Sequence, residues 1–187
     1  MRIFKCTLSL IVLLGSLGVV AAQGDKSQSK AASHIKAKYE KSKDRTTVTL
    51  KSMDLGGAMT REVSNLGQAT QLTLDVSFTY PGEQITKPVE SLTMKFTSRA
   101  RYPVFQRGQN LMAVVDDQNA IPIGDTAYKS DAQTFYTDEI LSAQVPREIM
   151  ERIRTAKSLK LFLGNREISF RTEQLADLRE IAARMSP

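Results

Sequence analysis

Cysteine, histidine and tryptophan are almost absent from this chain, which has one Cys, one His and no Trp. Cys6 lies in an N-terminal segment that we expect to be removed. The mature protein would then have no thiol for catalysis, metal binding or a disulfide. A serine triad needs a histidine base, and the lone His34 precedes the predicted domain, where we expect it to be inert. Since carbohydrate platforms usually expose aromatic rings, the lack of Trp also disfavours a sugar-binding module.

The sequence also lacks the motifs that carry common cofactor chemistry. The phosphate-binding patterns GxxxxGK[ST] and GxGxxG and the zinc pattern HExxH are all absent, so Gly56-Gly57 predicts only a loop. No basic residue lies in a nucleic-acid recognition motif, and nucleic acid is a poor partner for an exported protein. The sequence therefore assigns no catalytic, cofactor-binding or metal-binding residue, and no cofactor.

The N-terminal segment has the profile of a secretory signal peptide. A short basic start with Arg2 and Lys5 is followed by the uncharged stretch 6–20 and by the small residues Ala21 and Ala22. The apolar stretch is shorter than the roughly 20 residues of a membrane-spanning helix, although an uncleaved anchor is the alternative. We expect residues 1–22 to be cleaved, leaving an exported protein, periplasmic or secreted, without a transmembrane segment.

The excess positive charge lies just after the predicted cleavage site. Residues 23–45 contain seven basic and three acidic side chains, whereas residues 46–187 contain 17 of each. We predict that 23–45 form a basic flexible arm, since like charges repel and keep such segments open. The arm can make weak contact with an anionic surface, and the neutral remainder forms a single domain over 46–187.

Most of that domain alternates between apolar and polar residues, which is typical of half-buried β-strands. The clearest strand runs through Leu72, Leu74, Val76 and Phe78, and Pro81-Gly82 ends it with turn chemistry. Further strands are predicted around 46–51, 92–97, 110–115, 120–123, 139–145, 159–163 and 168–170. Pro122 would place its strand at a sheet edge, because proline has no amide hydrogen to donate.

Two late segments change to the period of a helix. Pro146 can begin the first helix, in which Ile149, Met150 and Ile153 form an apolar stripe. In the second, Thr172 can act as the cap, and the apolar face consists of Leu175, Leu178, Ile181 and Met185. Many short strands with two late helices predict a mainly β fold. We expect an antiparallel β-sandwich, immunoglobulin-like or an open barrel, with two short accessory α-helices near the C-terminus.

Two pairs of neighbouring carboxylates, Asp116-Asp117 and Asp138-Glu139, are the candidates for hydrolysis without Cys or His. Glycoside hydrolysis needs two carboxyl groups that face each other across a bond, about 5–9 Å apart. Adjacent side chains in a strand point to opposite faces, and adjacent turn residues are usually solvated. Calcium at Asp116, Asp117 and Asn119 is a weak alternative, because the spacing lacks alternating oxygen ligands.

A basic and aromatic strip runs from Arg99 to Arg107, with Arg101, Tyr102 and Phe105 between. Arginine binds carboxylate or phosphate through paired hydrogen bonds, so the strip can be read as an anion site. Charged residues and Pro103 are also typical of a strand edge that is protected from unwanted pairing, and we favour this interpretation of the strip.

The expected function is binding without catalysis. The organisation resembles small envelope proteins with immunoglobulin-like sandwiches, a likeness of architecture without a diagnostic motif. We expect an interaction protein of a bacterial-type cell envelope or secretome, whose partner is another envelope or extracellular protein. The alternative is a carboxylate-based hydrolase or small-ligand-binding protein with a site built from separate strands. A cleft with two converging carboxylates, or with Arg99 and Arg101 beside an acid, would favour that alternative.

Overall fold

The computed structural model describes residues 34–56 and 69–187. The described strands are β1 (Ile35–Glu40), β2 (Arg45–Asp54), β3 (Ala69–Pro81), β4 (Ser91–Ala100), β5 (Asn110–Val115), β6 (Ile121–Asp125), β7 (Ala127–Ala132), β8 (Thr137–Pro146), β9 (Leu159–Leu163) and β10 (Arg166–Ser169). The helices are α1 (Arg147–Thr155) and α2 (Thr172–Ala183). The predicted signal peptide 1–22 and the first part of the predicted arm lie outside the described residues.

The strands form two antiparallel sheets. Six strands pair in the order β1-β2-β3-β4-β8-β7, and four pair in the order β10-β9-β5-β6. The prediction of a mainly β, antiparallel fold with two helices near the C-terminus is confirmed. Its finer form, an immunoglobulin-like sandwich or an open barrel, stays a prediction.

The core collects the apolar side chains of alternating strand positions. Leu72, Leu74, Val76 and Phe78 are all buried on β3, as the period of two predicts. Side chains from the second sheet, including Leu111 and Leu161, belong to the same buried cluster. One core therefore unites both sheets and the buried faces of the two helices.

The helices follow their predicted apolar stripes. α1 begins one residue after Pro146, and Ile149, Met150 and Ile153 are buried. α2 begins at Thr172, but its N-cap is Arg171, so the prediction of Thr172 as the cap is wrong by one residue; the Gln174 side chain accepts a hydrogen bond from the Arg171 amide at 3.0 Å. Its four predicted apolar residues are all buried: Leu175, Leu178, Ile181 and Met185.

Four of the predicted strands form two β-hairpins in the second sheet. β5 pairs with β6, and Pro122 lies in an edge strand, as proline requires. β9 and β10 are joined by Gly164 and Asn165, with Gly164 at φ +64°. A type II′ turn needs this left-handed backbone at its first central residue, which explains the glycine.

The region of residues 35–45 differs from the predicted flexible arm. Residues 35–40 form β1, which pairs with β2 in an antiparallel register from Ile35 opposite Leu50 to Glu40 opposite Arg45. Ile35 is buried, whereas Lys36 and Lys38 are exposed on this edge strand. Exposed lysines protect a sheet edge from unwanted pairing, so a run that suggests an open arm is also typical of an edge strand.

His34 also differs from its prediction as an inert side chain in a flexible segment. Its Nδ1 atom lies 3.0 Å from the Oδ2 atom of Asp177, a buried residue of α2. This contact joins the start of β1 to the last helix, 143 residues away in the sequence. The folded domain therefore extends at least to His34 at this end.

Candidate functional site

The predicted basic strip begins on β4 and continues into the loop before β5. Arg99 and Asp138 are direct partners in the pairing of β4 with β8. The guanidinium donates to both carboxylate oxygens at 2.7 Å, and it lies 4.4 Å from the centre of the Tyr136 ring. The hydrogen bond from Arg99 lowers the pKa of Asp138 against a smaller opposing effect of burial. Arg99 is thus held between an acid and an aromatic ring.

Exposed aromatic rings lie at the same end of the large sheet, where β4 ends and β8 begins. Tyr102 is 54% exposed, with the Arg101 guanidinium 5.5 Å from its ring centre. Phe135 is 85% exposed in the turn between β7 and β8, which the Gln133 amide closes on the Tyr136 carbonyl at 2.8 Å. We call this surface the arginine–aromatic end; it consists of Arg99, Arg101, Tyr102, Phe135 and Tyr136.

Glu139 lies beneath the loop that follows the arginine–aromatic end, and its side chain is completely buried. Its carboxylate accepts hydrogen bonds from three successive amides, those of Val104 at 2.5 Å, Phe105 at 3.0 Å and Gln106 at 2.7 Å. The Tyr128 hydroxyl donates a fourth at 2.8 Å. Converging amides of this kind form an anion-binding nest, and here the anion is a side chain of the protein itself.

The electrostatics of Glu139 follow from two opposing effects. Burial raises its pKa, but the hydrogen bonds from the amides of Gln106, Val104 and Phe105, and from Tyr128, outweigh burial and lower the pKa. Burial and the bond to Glu139 raise the pKa of Tyr128. Glu139 is therefore an ionised carboxylate at neutral pH whose acceptor sites are engaged within the protein. It serves to hold the loop in place.

Arg166, at the start of β10, covers the other side of the same loop. Its guanidinium carbon lies 4.4 Å from the centre of the buried Phe105 ring, and Nη2 donates to the Val104 carbonyl at 3.2 Å. Burial lowers the pKa of Arg166, while the charge of Glu139 opposes that shift. The Nη1 atom is buried and has no hydrogen-bond partner among the described residues.

A cavity of about 530 Å³ opens beside Arg166. Its walls come from the loop before β5 and from the turn between β9 and β10; they include Gln106, Arg107, Gln109, Asn165 and Arg166. The Gln109 side chain donates to the carbonyls of Phe105 and Arg107, at 3.3 and 3.2 Å, and so stiffens one wall. We call this cavity the Arg166 pocket.

The Asp116-Asp117 pair has a structural place in the turn after β5. Both residues have a left-handed backbone, with φ of +53° and +55°, and the Gln118 amide closes the turn on the Val115 carbonyl at 3.1 Å. Aspartate tolerates this conformation better than most residues. Asp116 Oδ1 accepts from the amides of residues 157 and 158, which lower its pKa. Asp117 lies 3.3 Å from the Nζ atom of Lys160.

Neither predicted carboxylate pair therefore forms two acids that face a common substrate. Asp138 and Glu139 lie on opposite faces of β8, as strand geometry requires, with Asp138 bound to Arg99.

Within residues 34–56 and 69–187, no group of three or more His, Cys, Asp or Glu could hold a metal ion. In the same part of the chain, no helix combines the length and apolar character needed to cross a membrane.

The three arginines of the predicted strip have different surroundings in the structure. Arg99 lies beside an acid, Arg101 lies against Tyr102, and Arg107 lines the Arg166 pocket. The contacts of Glu139 and Arg166 are visible only in the folded structure. The sequence indicates both residues, because each occupies a strand position whose period predicts burial. Glu139 is in phase with the buried Leu141, and Arg166 with the buried Ile168. A charged residue at an inward-facing strand position requires a partner.

Comparison of the chain with protein-family models, with curated proteins and with solved structures finds no match in any of the three.

Proposed function

We propose that this chain is an exported, non-enzymatic binding protein of a bacterial-type cell envelope or secretome. It contacts another protein through the arginine–aromatic end. The observation that carries this proposal is the 85% exposure of Phe135 at the same end of the sheet as a second exposed ring, Tyr102. Arginine and aromatic residues are enriched in protein interfaces and among the residues that dominate binding energy.

The arrangement of this surface favours recognition. Single exposed apolar residues are common on proteins, but here two loops bring several rings and guanidinium groups to one end of a sheet. Arg99 is already held by Asp138 and Tyr136, so little side-chain entropy remains to be lost there on binding. A side chain that is already held in the free protein costs less entropy to bury in a complex.

We propose binding without catalysis because three of the four candidate acids are hydrogen-bonded within the protein. Asp138 is bonded to Arg99, Asp116 to two backbone amides, and Glu139 to four donors. A general acid or base needs to exchange protons with a substrate within hydrogen-bond reach. These carboxylates are committed to contacts that organise the fold.

Site-specific photocrosslinking in the producing cell tests the contact surface. The crosslinking amino acid p-benzoylphenylalanine would be placed at position 135 or 102, and at position 39 as the control. Tyr39 is also an exposed aromatic residue, at 37%, but it lies on the opposite edge strand. We expect a discrete adduct with one protein from positions 135 and 102 and none from 39. Equal adducts from all three positions, or none from any, would contradict the proposal.

Cell fractionation and N-terminal sequencing test the export part separately. We expect the protein outside the cytoplasm with Gln23 as its first residue, because cleavage is proposed after Ala22. A full-length cytoplasmic protein that begins at Met1 would contradict export, whatever the crosslinking result.

The Arg166 pocket favours a second candidate function, that of a small-ligand-binding protein. The arginines and amide side chains in the walls of this cavity can fix the orientation of a polar ligand, as the few polar groups of a ligand pocket do. Saturable ligand binding without any protein adduct at the arginine–aromatic end would favour this second function over the first.

A further inference from the structure

We propose that the Arg166 pocket binds a small organic carboxylate, whose oxygens pair with the guanidinium groups of Arg166 and Arg107. This proposal rests on the second candidate function above and names its ligand class; it does not depend on the protein contact at the arginine–aromatic end. Three features of the pocket favour a carboxylate: a buried donor without an acceptor, walls that are held in place, and the local balance of charge.

The orphaned donor is Nη1 of Arg166, which is buried without an acceptor among the described residues. Nη2 of the same guanidinium already donates to the Val104 carbonyl. A buried charged donor without a partner is unfavourable, because it has lost its hydrogen bonds to water and forms none within the protein. Nη1 has almost no solvent-accessible area in this structure, so the guanidinium of Arg166, which lines the cavity, would turn to present Nη1 to a carboxylate oxygen there. Carboxylates match the planar fork of arginine.

The frame around the pocket is held on two sides. Glu139 fixes the amides of Val104, Phe105 and Gln106 from below. The Phe105 ring supports the Arg166 guanidinium at 4.4 Å. A site whose walls are ordered before the ligand arrives loses less entropy on binding.

The charge balance favours a carboxylate over a more highly charged anion. Arg166 and Arg107 contribute two positive charges, and the buried carboxylate of Glu139 offsets one of them. The net positive charge near the pocket is therefore small, which suits a singly charged group. The exposed amides of Gln106 and Asn165 can donate to other polar parts of the ligand. The volume of about 530 Å³ accommodates a molecule much larger than a bare ion.

The test is an NMR titration of the purified ¹⁵N-labelled protein with four probes: acetate, succinate, citrate and inorganic phosphate. Sodium chloride at matched ionic strength is the reference. We expect saturable shifts of the amides of residues 104–109 and 165–166 with at least one carboxylate below about 10 mM, a range that detects millimolar Kd values. No saturable shift with any carboxylate would overturn the proposal, as would tighter binding of phosphate than of all three carboxylates.

Two variants and one control locate the site. Arg166→Gln should weaken carboxylate binding by about tenfold or more, as expected for loss of a charged, paired contact. Arg107→Gln provides a second test at an exposed position, which keeps the proposal falsifiable if the Arg166 variant fails to fold. Arg45→Gln removes an exposed arginine outside the pocket and outside the arginine–aromatic end, and should leave the affinity unchanged. Equal weakening by Arg45→Gln, or no weakening by Arg107→Gln and Arg166→Gln, would overturn the assignment.

Discussion

Glu139 and Gln106 are 33 residues apart in the sequence, yet the buried carboxylate of Glu139 accepts a hydrogen bond from the Gln106 amide at 2.7 Å. Gln106 has a left-handed backbone, with φ of +63°, a conformation that costs a residue other than glycine free energy. The amides of Val104 and Phe105 donate to the same carboxylate. The strained loop persists because one buried anion satisfies three amides at once, and both candidate binding surfaces adjoin this loop.

Replacing Glu139 by Gln should destabilise the protein by about 2–4 kcal/mol, since an amide loses the charge that three donors surround and introduces donors of its own. Urea denaturation at neutral pH measures the change in unfolding free energy. Tyr128→Phe, which removes only the fourth donor, should cost about 1 kcal/mol. Asp138→Asn, next in sequence but partly exposed, should cost less than Glu139→Gln. An equal loss for the two acid variants would contradict a special role for Glu139.

The unfolding free energy should fall in acid because of the same carboxylate. The pKa of Glu139 is lowered in the folded protein, so its contribution is fully present above the unfolded pKa of about 4.3. That contribution is lost as pH falls through the lower, folded pKa. Denaturation between pH 6 and pH 3 should therefore show a smaller decline for Glu139→Gln than for the unchanged protein. Parallel declines would show that Glu139 does not contribute to acid sensitivity.

Gly108→Ala should destabilise the protein by about 1–3 kcal/mol, as overpacking of a closely fitted site does. A Cβ atom at Gly108 would collide with the Thr126 carbonyl oxygen. Thr126 cannot retreat easily, because its amide donates to the Gln109 carbonyl and its hydroxyl accepts from the Gln109 amide, both at 2.8 Å. Thermal unfolding measures the effect. The exposed control Ala127→Ser should change stability by no more than about 0.5 kcal/mol.

Ile35→Ala tests whether residues 35–40 belong to the folded domain. The Ile35 side chain is buried in the core cluster, so we expect a loss of about 2 kcal/mol or more in unfolding free energy. Lys36→Ala, its exposed neighbour on the same strand, should change stability by no more than about 0.5 kcal/mol. If Ile35→Ala left the denaturation midpoint unchanged, residues 35–40 would behave as the flexible arm that their charge suggests.

Sequence pattern predicted the interior of the domain well, because burial on one face of a strand leaves a visible period of two. The run from Leu72 to Phe78 and the strand from Leu159 to Leu163 follow this rule, and both are present. The pattern was less informative for edge strands. β1 has only one buried side chain, Ile35, and β7 has none, so neither alternates clearly. Each pairs with the strand that follows it in the chain, β2 or β8, at the edge of the sheet, where one strand edge and most side chains face solvent.

The contacts within the candidate sites were less predictable from the sequence than the strands, because they depend on tertiary structure. Amino-acid order alone placed Arg99, Arg101 and Arg107 in one strip and identified Asp138 and Glu139 as neighbouring acids of opposite orientation. Only the fold decided that Arg99 pairs with Asp138, that Glu139 holds the loop at Val104, and that Arg166 lies over Phe105. The reason is physical: alternation and turn chemistry act between near neighbours, whereas an ion pair or a buried carboxylate requires groups that chain folding brings together.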